Sequence, residues 1–258
     1  MTTHNGDIAT IALMDCPIHS LTMAETVDRI DKAIAGKKPL HHVVVNVAKL
    51  VNMQRNPELK ASVVASDIIN ADGQGVVWAA RLLGRPLPER VAGIDLMGNL
   101  VALAHDKNYR IFFFGAKEEV VKKVVEKYSE QYSPAIIAGY RNGYYTAADE
   151  PSIAESIAAS DADILFVAIT SPKKEIFLNQ YKDIIQTPFI MGVGGSFDVV
   201  SGITKRAPLW MQRAGLEWFF RVLQEPRRMW KRYLVTNTLF LGYLVRECFR
   251  KKKPVAAV

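Results

Sequence analysis

The sequence predicts an α/β fold: a Rossmann-like parallel sheet with helices on both faces, extended by a C-terminal helical appendage that associates with a membrane. Three observations carry this expectation. Six short β-rich runs alternate with helical segments through the first 200 residues. The runs are almost continuously apolar, as parallel strands covered on both faces are. Residues 206–258 hold twelve Lys and Arg against Glu217, Glu225 and Glu247, interleaved with bulky apolar side chains.

In chain order the runs are HVVVNV, SDIINA, RIFFFG, AIIAGY, DILFVAI and PFIMGV. After the second run, VVWAARLLG opens a helix. After the third, AKEEVVKKVVEKYSEQY sets Val120, Val124 and Tyr128 at helical spacing. In the C-terminal region Leu216, Phe219, Phe220 and Leu223 recur at helical spacing and Glu217 pairs with Arg221 at i,i+4. Pro226 then punctuates the chain, and a second helix follows. A length of 258 residues suits one large domain or one domain with an appendage. The expected division is residues 1–200 for the body and 201–258 for the appendage.

Composition excludes several classes. An apolar fraction of 49% and a charged fraction of 23% are those of a globular chain. Cys16 and Cys248 lie far apart without a disulfide pattern, and no signal-peptide pattern opens the chain, so a reducing cytoplasm is the expected compartment. The five histidines, His4, His19, His41, His42 and His105, do not fall at metal-binding spacings. The net charge of +7 conceals an asymmetry, since the basic end outweighs it and leaves the first 205 residues slightly acidic. Such an end meets a polyanion: nucleic acid, anionic lipid or a phosphorylated substrate held at a membrane. Its longest uncharged stretch, Tyr233 to Val245, falls short of the roughly 20 residues that cross a bilayer. It is expected to lie on the membrane, with Trp210, Trp218, Trp230, Tyr233 and Tyr243 at headgroup depth and Arg250 to Lys253 against an anionic leaflet. A helix docked on the protein's own core is the alternative. Nucleic-acid binding is not expected.

In open parallel sheets, ligands bind beyond the carboxyl ends of the strands. That rule ranks the candidate residues. Asp72 in NADGQG follows the run SDIINA, and Gly73 and Gly75 allow close backbone approach to a ligand. The same aspartate could equally cap the helix that follows. Asp161-Ala162-Asp163 has the spacing of a metal-binding carboxylate pair but precedes its strand, so it is expected to face away from the site. Gly192, Gly194 and Gly195 follow a strand, but Phe197 stands where a dinucleotide fingerprint needs glycine or alanine. Arg90 and Gly93, in PLPERVAGIDL, lie in a proline-broken segment where a guanidinium could neutralise a diphosphate without a metal.

Taken in order, NADGQGVVWAARLLGRPLPERVAGIDL, FFFGAKEEV, SPKKE and GVGGSFDVVSGITKRAPLWMQRAGLEWFFRVLQEPRR resemble the WecG/TagA/CpsF family of glycosyltransferases over roughly residues 8 to 235. The resemblance implies an inverting, metal-independent enzyme with no cofactor. Such an enzyme moves a sugar from a nucleotide donor, here a UDP-sugar, to a polyprenyl diphosphate-linked sugar. It implies a peripheral protein at the cytoplasmic face of the bacterial inner membrane, on an anionic leaflet, feeding exopolysaccharide or another surface glycan. Asp72 matches the family's proposed general base, and Arg90 matches the arginine expected to stabilise charge near the diphosphate. Asn46, Gly73, Gly75, Gly93, Lys174 and Asp198 fall at positions expected to contact substrate, and Arg221, Arg228 and Arg232 at positions expected to hold the lipid diphosphate.

Two positions depart from the family's pattern: Val44 stands for a threonine and Lys174 for the glutamine of PKQE. A lysine cannot reproduce an amide's donor and acceptor pair, so the donor is expected to differ, with UDP-glucose favoured over an N-acetylmannosamine sugar. The competing readings are a non-catalytic membrane module, for which both departures would speak, and a nicotinamide oxidoreductase, which the incomplete glycine pattern opposes. Homo-oligomerisation is left open.

Overall fold

The computed structural model describes residues 8–249, without the side chain of Arg228. The chain opens with a hairpin, β1 (Thr10–Leu13) and β2 (Cys16–His19), and helix α1 (Met23–Ala35). Then come β3 (Leu40–Val45), α2 (Val47–Met53), α3 (Pro57–Val64), β4 (Ile68–Ala71), α4 (Gln74–Leu82) and α5 (Gly93–Lys107). The second half continues with β5 (Ile111–Gly115), α6 (Glu118–Gln131), β6 (Ile137–Arg141), α7 (Glu150–Ala159), β7 (Ile164–Ala168), α8 (Lys173–Ile185) and β8 (Phe189–Gly192). It ends in α9 (Ser196–Val200), α10 (Leu209–Arg213), α11 (Glu217–Gln224) and α12 (Pro226–Phe249).

All six expected runs are strands of one sheet in the order β4-β3-β8-β7-β5-β6, and every pairing is parallel. Alternate side chains feed opposite faces. On one face Val44, Phe113, Phe166 and Met191 join Leu96, Leu100, Val121 and Val124 of α5 and α6. On the other, Val43, Val45 and Ile69 pack with α2, α3 and α4, while Phe112, Phe114, Leu165 and Ile190 pack with α7 and α8. The chain leaves the neighbouring strands β3 and β8 to opposite faces, α2 to one and α9 to the other, which opens a crevice at their carboxyl ends.

The hairpin of β1 and β2 was not foreseen from the sequence; Leu13, Cys16 and Ile18 seal the edge of the second face beside β4. The C-terminal helices are also more integrated than an amphipathic tail implies. Phe240 and Leu244 of α12 belong to the same buried cluster as Leu13, Leu50 and Val76, and Arg85 reaches both the carbonyl of Ala12 and Glu247. Among the described residues no helix is long and apolar enough to cross a membrane.

At the start of β3, His41 and His42 are buried. His42 Nε2 lies 2.8 Å from Asn70 Oδ1, an acceptor, so that nitrogen carries the proton. Desolvation pushes both rings down from 6.5, His41 to about 3 and His42 to about 4. At these two sites the unfolded chain binds more protons than the folded one below pH 6.5, so their contribution to stability falls as acid is added. The melting temperature should drop progressively between pH 7 and pH 5, and His41→Leu should flatten that slope in a calorimetric pH series; an unchanged slope would contradict the assignment.

Candidate active site

Asp72 leaves the carboxyl end of β4, where its backbone N–H donates to the Val45 carbonyl at 2.7 Å. The residue at the N-cap of α4 is Gly73, with φ +102°, a conformation that disfavours a side chain, and α4 has no side-chain cap. Asp72 is therefore not a helix cap, and its carboxylate accepts no hydrogen bond among the described residues. Val91 N–H donates to the Ala71 carbonyl at 3.0 Å, which prolongs the sheet edge and sets Arg90 beside Asp72.

Burial pushes the Asp72 carboxyl up to about 6; Arg90 opposes this, Glu217 reinforces it, and Arg221 and Lys49 oppose it. A carboxylate beside arginine is ordinarily held low. Here Arg90 Nη1 is bound to Glu217 Oε2 at 3.0 Å, so its charge is shared between two acids. Glu217 also faces Arg206 Nε at 3.6 Å, and Arg206 forms a two-pronged pair with Asp95, one contact being 2.8 Å. An alternating chain of charges thus runs from Asp95 of α5 through Arg206 and Glu217 to Arg90.

The other candidates fall into three groups. Asn46 caps α2 by accepting from Lys49 N–H at 2.9 Å and sits against Gly73. Gly75 lies against Val47, and Gly93 opens α5 against Val44 and Met191, so both let helix starts close on the strand ends. Asp198, Arg221 and Arg232 line a cavity of about 270 Å³ with Thr170, Gly195 and Thr204, between the strand ends and the C-terminal helices. Arg228 lies on α12, but its side chain is outside the described residues. Asp163, by contrast, accepts from Arg110 N–H at the amino edge of the sheet, away from this cluster.

Lys174 sits differently from the open donor contact expected for it. It is buried over Gly192, where an added Cβ would fall 2.2 Å from its Cε, and its Nζ binds Glu175 Oε1 at 2.7 Å. Lys49 Nζ binds the same oxygen at 2.8 Å. Burial pulls Lys174 down to about 8, with Lys49 adding to the effect. Burial pushes the Glu175 carboxyl up, but the two ammonium groups overcome it and hold it far below the usual range. Sequence reasoning missed Lys49, Glu175, Arg206 and Glu217. The last two lie within RAPLW and GLEW, motifs whose charged members could have been flagged as partners of the ERV arginine.

The Asp72 carboxylate beside Arg90, at the carboxyl edge of a parallel sheet and under the C-terminal helices, is the candidate active site of a Rossmann-like α/β fold. The chain belongs to the glycosyl transferase WecG/TagA/CpsF family, whose pattern matches residues 11–254, and it is a glycosyltransferase. It is 42% identical over 187 residues, 72% of each chain, to the N-acetylglucosaminyldiphosphoundecaprenol N-acetyl-beta-D-mannosaminyltransferase of Bacillus subtilis strain 168. It is 41% identical over 180 residues, 70% of this chain and 69% of the other, to the protein of the same name from Bacillus spizizenii strain W23. Neither relative supports the glucosyl donor favoured from the departures at Val44 and Lys174. The burial of Lys174 against Glu175 supplies the physical reason, since that substitution is compensated inside the protein and does not present a new charge to a sugar.

Removing one partner of a buried ion group leaves uncompensated charge. Glu175→Gln, which strands two buried lysines, should cost about 3–5 kcal/mol in denaturant unfolding, whereas Lys174→Gln should cost far less because Lys49 still binds Glu175. Equal losses would show that the three do not act as one cluster.

Proposed function

We propose that the protein transfers N-acetylmannosamine from a UDP donor to a polyprenyl diphosphate-linked N-acetylglucosamine, with inversion and without a metal. The observation that carries the reading is the Asp72 carboxyl, which accepts no hydrogen bond among the described residues, at the carboxyl end of β4 next to Arg90 in a chain belonging to this family. The named activity of the two relatives supports the sugar and the acceptor.

In the proposed reaction Asp72 takes the proton from the acceptor hydroxyl as that oxygen bonds to the anomeric carbon. The bond from this carbon to the diphosphate oxygen breaks on the opposite face, and the UDP leaves with the bonding pair. Arg90 meets the charge developing on the leaving diphosphate. Arg221 and Arg232, with Asp198, Thr170 and Gly195, line a cavity suited to a diphosphate and its attached sugar or ribose. A base whose pKa is near 6 is ionised at neutral pH yet binds a proton more strongly than a solvated aspartate does.

The lipid-linked acceptor places the reaction at a membrane surface, and the C-terminal helices are suited to one. Leu209, Trp210, Leu223, Trp230 and Leu234 are exposed, and Arg213, Arg227 and Lys231 are exposed alongside them. Exposed apolar side chains flanked by cations, here on α10, α11 and α12, suit helices that lie in the headgroup layer. The protein would act there as a peripheral enzyme on the inner face of the bacterial membrane.

Transfer from UDP-N-acetylmannosamine to a polyprenyl diphosphate-linked N-acetylglucosamine in EDTA should proceed, and activity should rise with pH through an acid limb near 6. Asp72→Asn should lose on the order of a hundredfold or more in kcat without loss of folding. Transfer only from UDP-glucose, or an undiminished Asp72→Asn enzyme, would reject the assignment.

For membrane docking, deleting the appendage would remove Phe240 and Leu244 from the core, so surface substitutions are the cleaner probe. Trp230→Ser with Leu234→Ser should weaken sedimentation with vesicles containing phosphatidylglycerol while leaving the melting temperature unchanged. Unaltered vesicle binding would contradict the docking face.

A further inference from the structure

Glu217 is carried on the first turn of α11, 127 residues from Arg90 in sequence, yet its carboxylate reaches the centre of the site. Its two oxygens serve different arginines, Oε2 facing Arg90 at 3.0 Å and Oε1 facing Arg206 at 3.6 Å. The Arg90 and Glu217 side chains are only 16% and 22% exposed, so the pair is not a solvated surface contact. Arg206 is itself clamped by the Asp95 carboxylate, which roots the arrangement in α5.

The backbone before Glu217 is fixed just as firmly. Gly215 has φ +70°, and an added Cβ there would fall 2.8 Å from Gln74 Cβ and 3.0 Å from Trp78 Cη2. The glycine therefore lets the chain lie directly on α4, the helix that follows Asp72. After Glu217, Trp218 packs its ring 5.7 Å from that of Tyr233 on α12. The Glu217 carboxylate is thus delivered to Arg90 by a segment anchored on both sides.

We propose that Glu217 is a positioning residue: through its bond to Arg90 it holds the guanidinium in the orientation that serves the donor diphosphate. The proposal rests on the reading of Arg90 as a diphosphate contact. An arginine side chain has many rotamers, and a fixed fork loses less freedom when substrate binds. The bond to Glu217 uses one of the five guanidinium N–H groups, leaving the others for phosphate oxygens.

Asp72 gives a second means of detection, because its charged and titratable neighbours come from every surrounding element: Arg90 from the loop after α4, Glu217 and Arg221 from α11, Lys49 from α2 and Tyr233 from α12. Removing the Glu217 charge withdraws one repulsion and releases Arg90 toward Asp72. Both changes favour the ionised carboxylate, so its midpoint moves to lower pH.

The test compares Glu217→Gln, Glu217→Asp, Arg90→Ala and the double variant Glu217→Gln with Arg90→Ala in the full chain. Glu217→Gln should lower kcat by on the order of tenfold to a hundredfold with donor KM little changed, and Glu217→Asp should recover part of the loss. Added to Arg90→Ala, the glutamine should cost nothing more, since it acts through the arginine. A carbon-13 NMR titration of the Asp72 carboxyl in the ligand-free protein should show a lower midpoint in Glu217→Gln. Additive losses in the double variant, or an unmoved midpoint, would overturn the proposal. Should the unaltered enzyme transfer no sugar, the assignment of donor and acceptor falls, while the Asp72 midpoint still decides the role of Glu217.

Discussion

Because the six strands of the central sheet are parallel, each one ends on the same edge, and each must hand its chain to a helix there. That constraint gathers Asn46, Asp72, Thr170 and Gly195 from four separate strand ends into one neighbourhood. It also crowds that edge with backbone and with helix starts, which deprives side chains of water. Asp72 takes its raised pKa from this crowding first and from its charged neighbours second. The chemical character of the site therefore follows from topology before it follows from any single contact.

The balance of charge at this edge is uneven in an informative way. Asp95 holds Arg206, Glu175 holds Lys49 and Lys174, and Glu217 holds Arg90. Among these acids Asp72 is the one whose carboxylate accepts no hydrogen bond among the described residues. Had Arg90 bonded to Asp72 and not to Glu217, the aspartate would be a weak base with its lone pairs engaged. The bridge to Glu217 thus separates two roles that proximity alone would merge: a cation available to phosphate and a carboxylate available to a proton.

The parallel sheet and the strand-end position of Asp72 were legible because both depend on local signals: apolar runs, strand-following glycines and the order of elements. The site around Arg90 was legible only in part. Its partners Glu217 and Arg206 are brought to it by the docking of α10 and α11, a tertiary event with no local periodicity. Lys174 shows the same limit in reverse. Its identity suggested an altered donor contact, but the space left by Gly192 and the paired Lys49 and Glu175 absorb its charge internally. The hairpin of β1 and β2 escaped notice because its short strands lack a long apolar run; they serve as a lid on the sheet edge.

The C-terminal helices join the two tasks that the proposed reaction imposes. One side of α12 contributes Phe240 and Leu244 to the core beneath β3 and β4. Near its start, Arg232 faces the cavity at the strand ends, while Trp230 and Leu234 remain exposed. A helix fixed in the core at one end cannot bend freely at the other, so the exposed face and the cavity hold a set relation to each other. In the proposed reaction a diphosphate held at Arg232 would lie close along α12 to the exposed Trp230 and Leu234. The same helices carry the carboxylate that grips Arg90, and the surface that would meet the membrane is continuous with the one that completes the site.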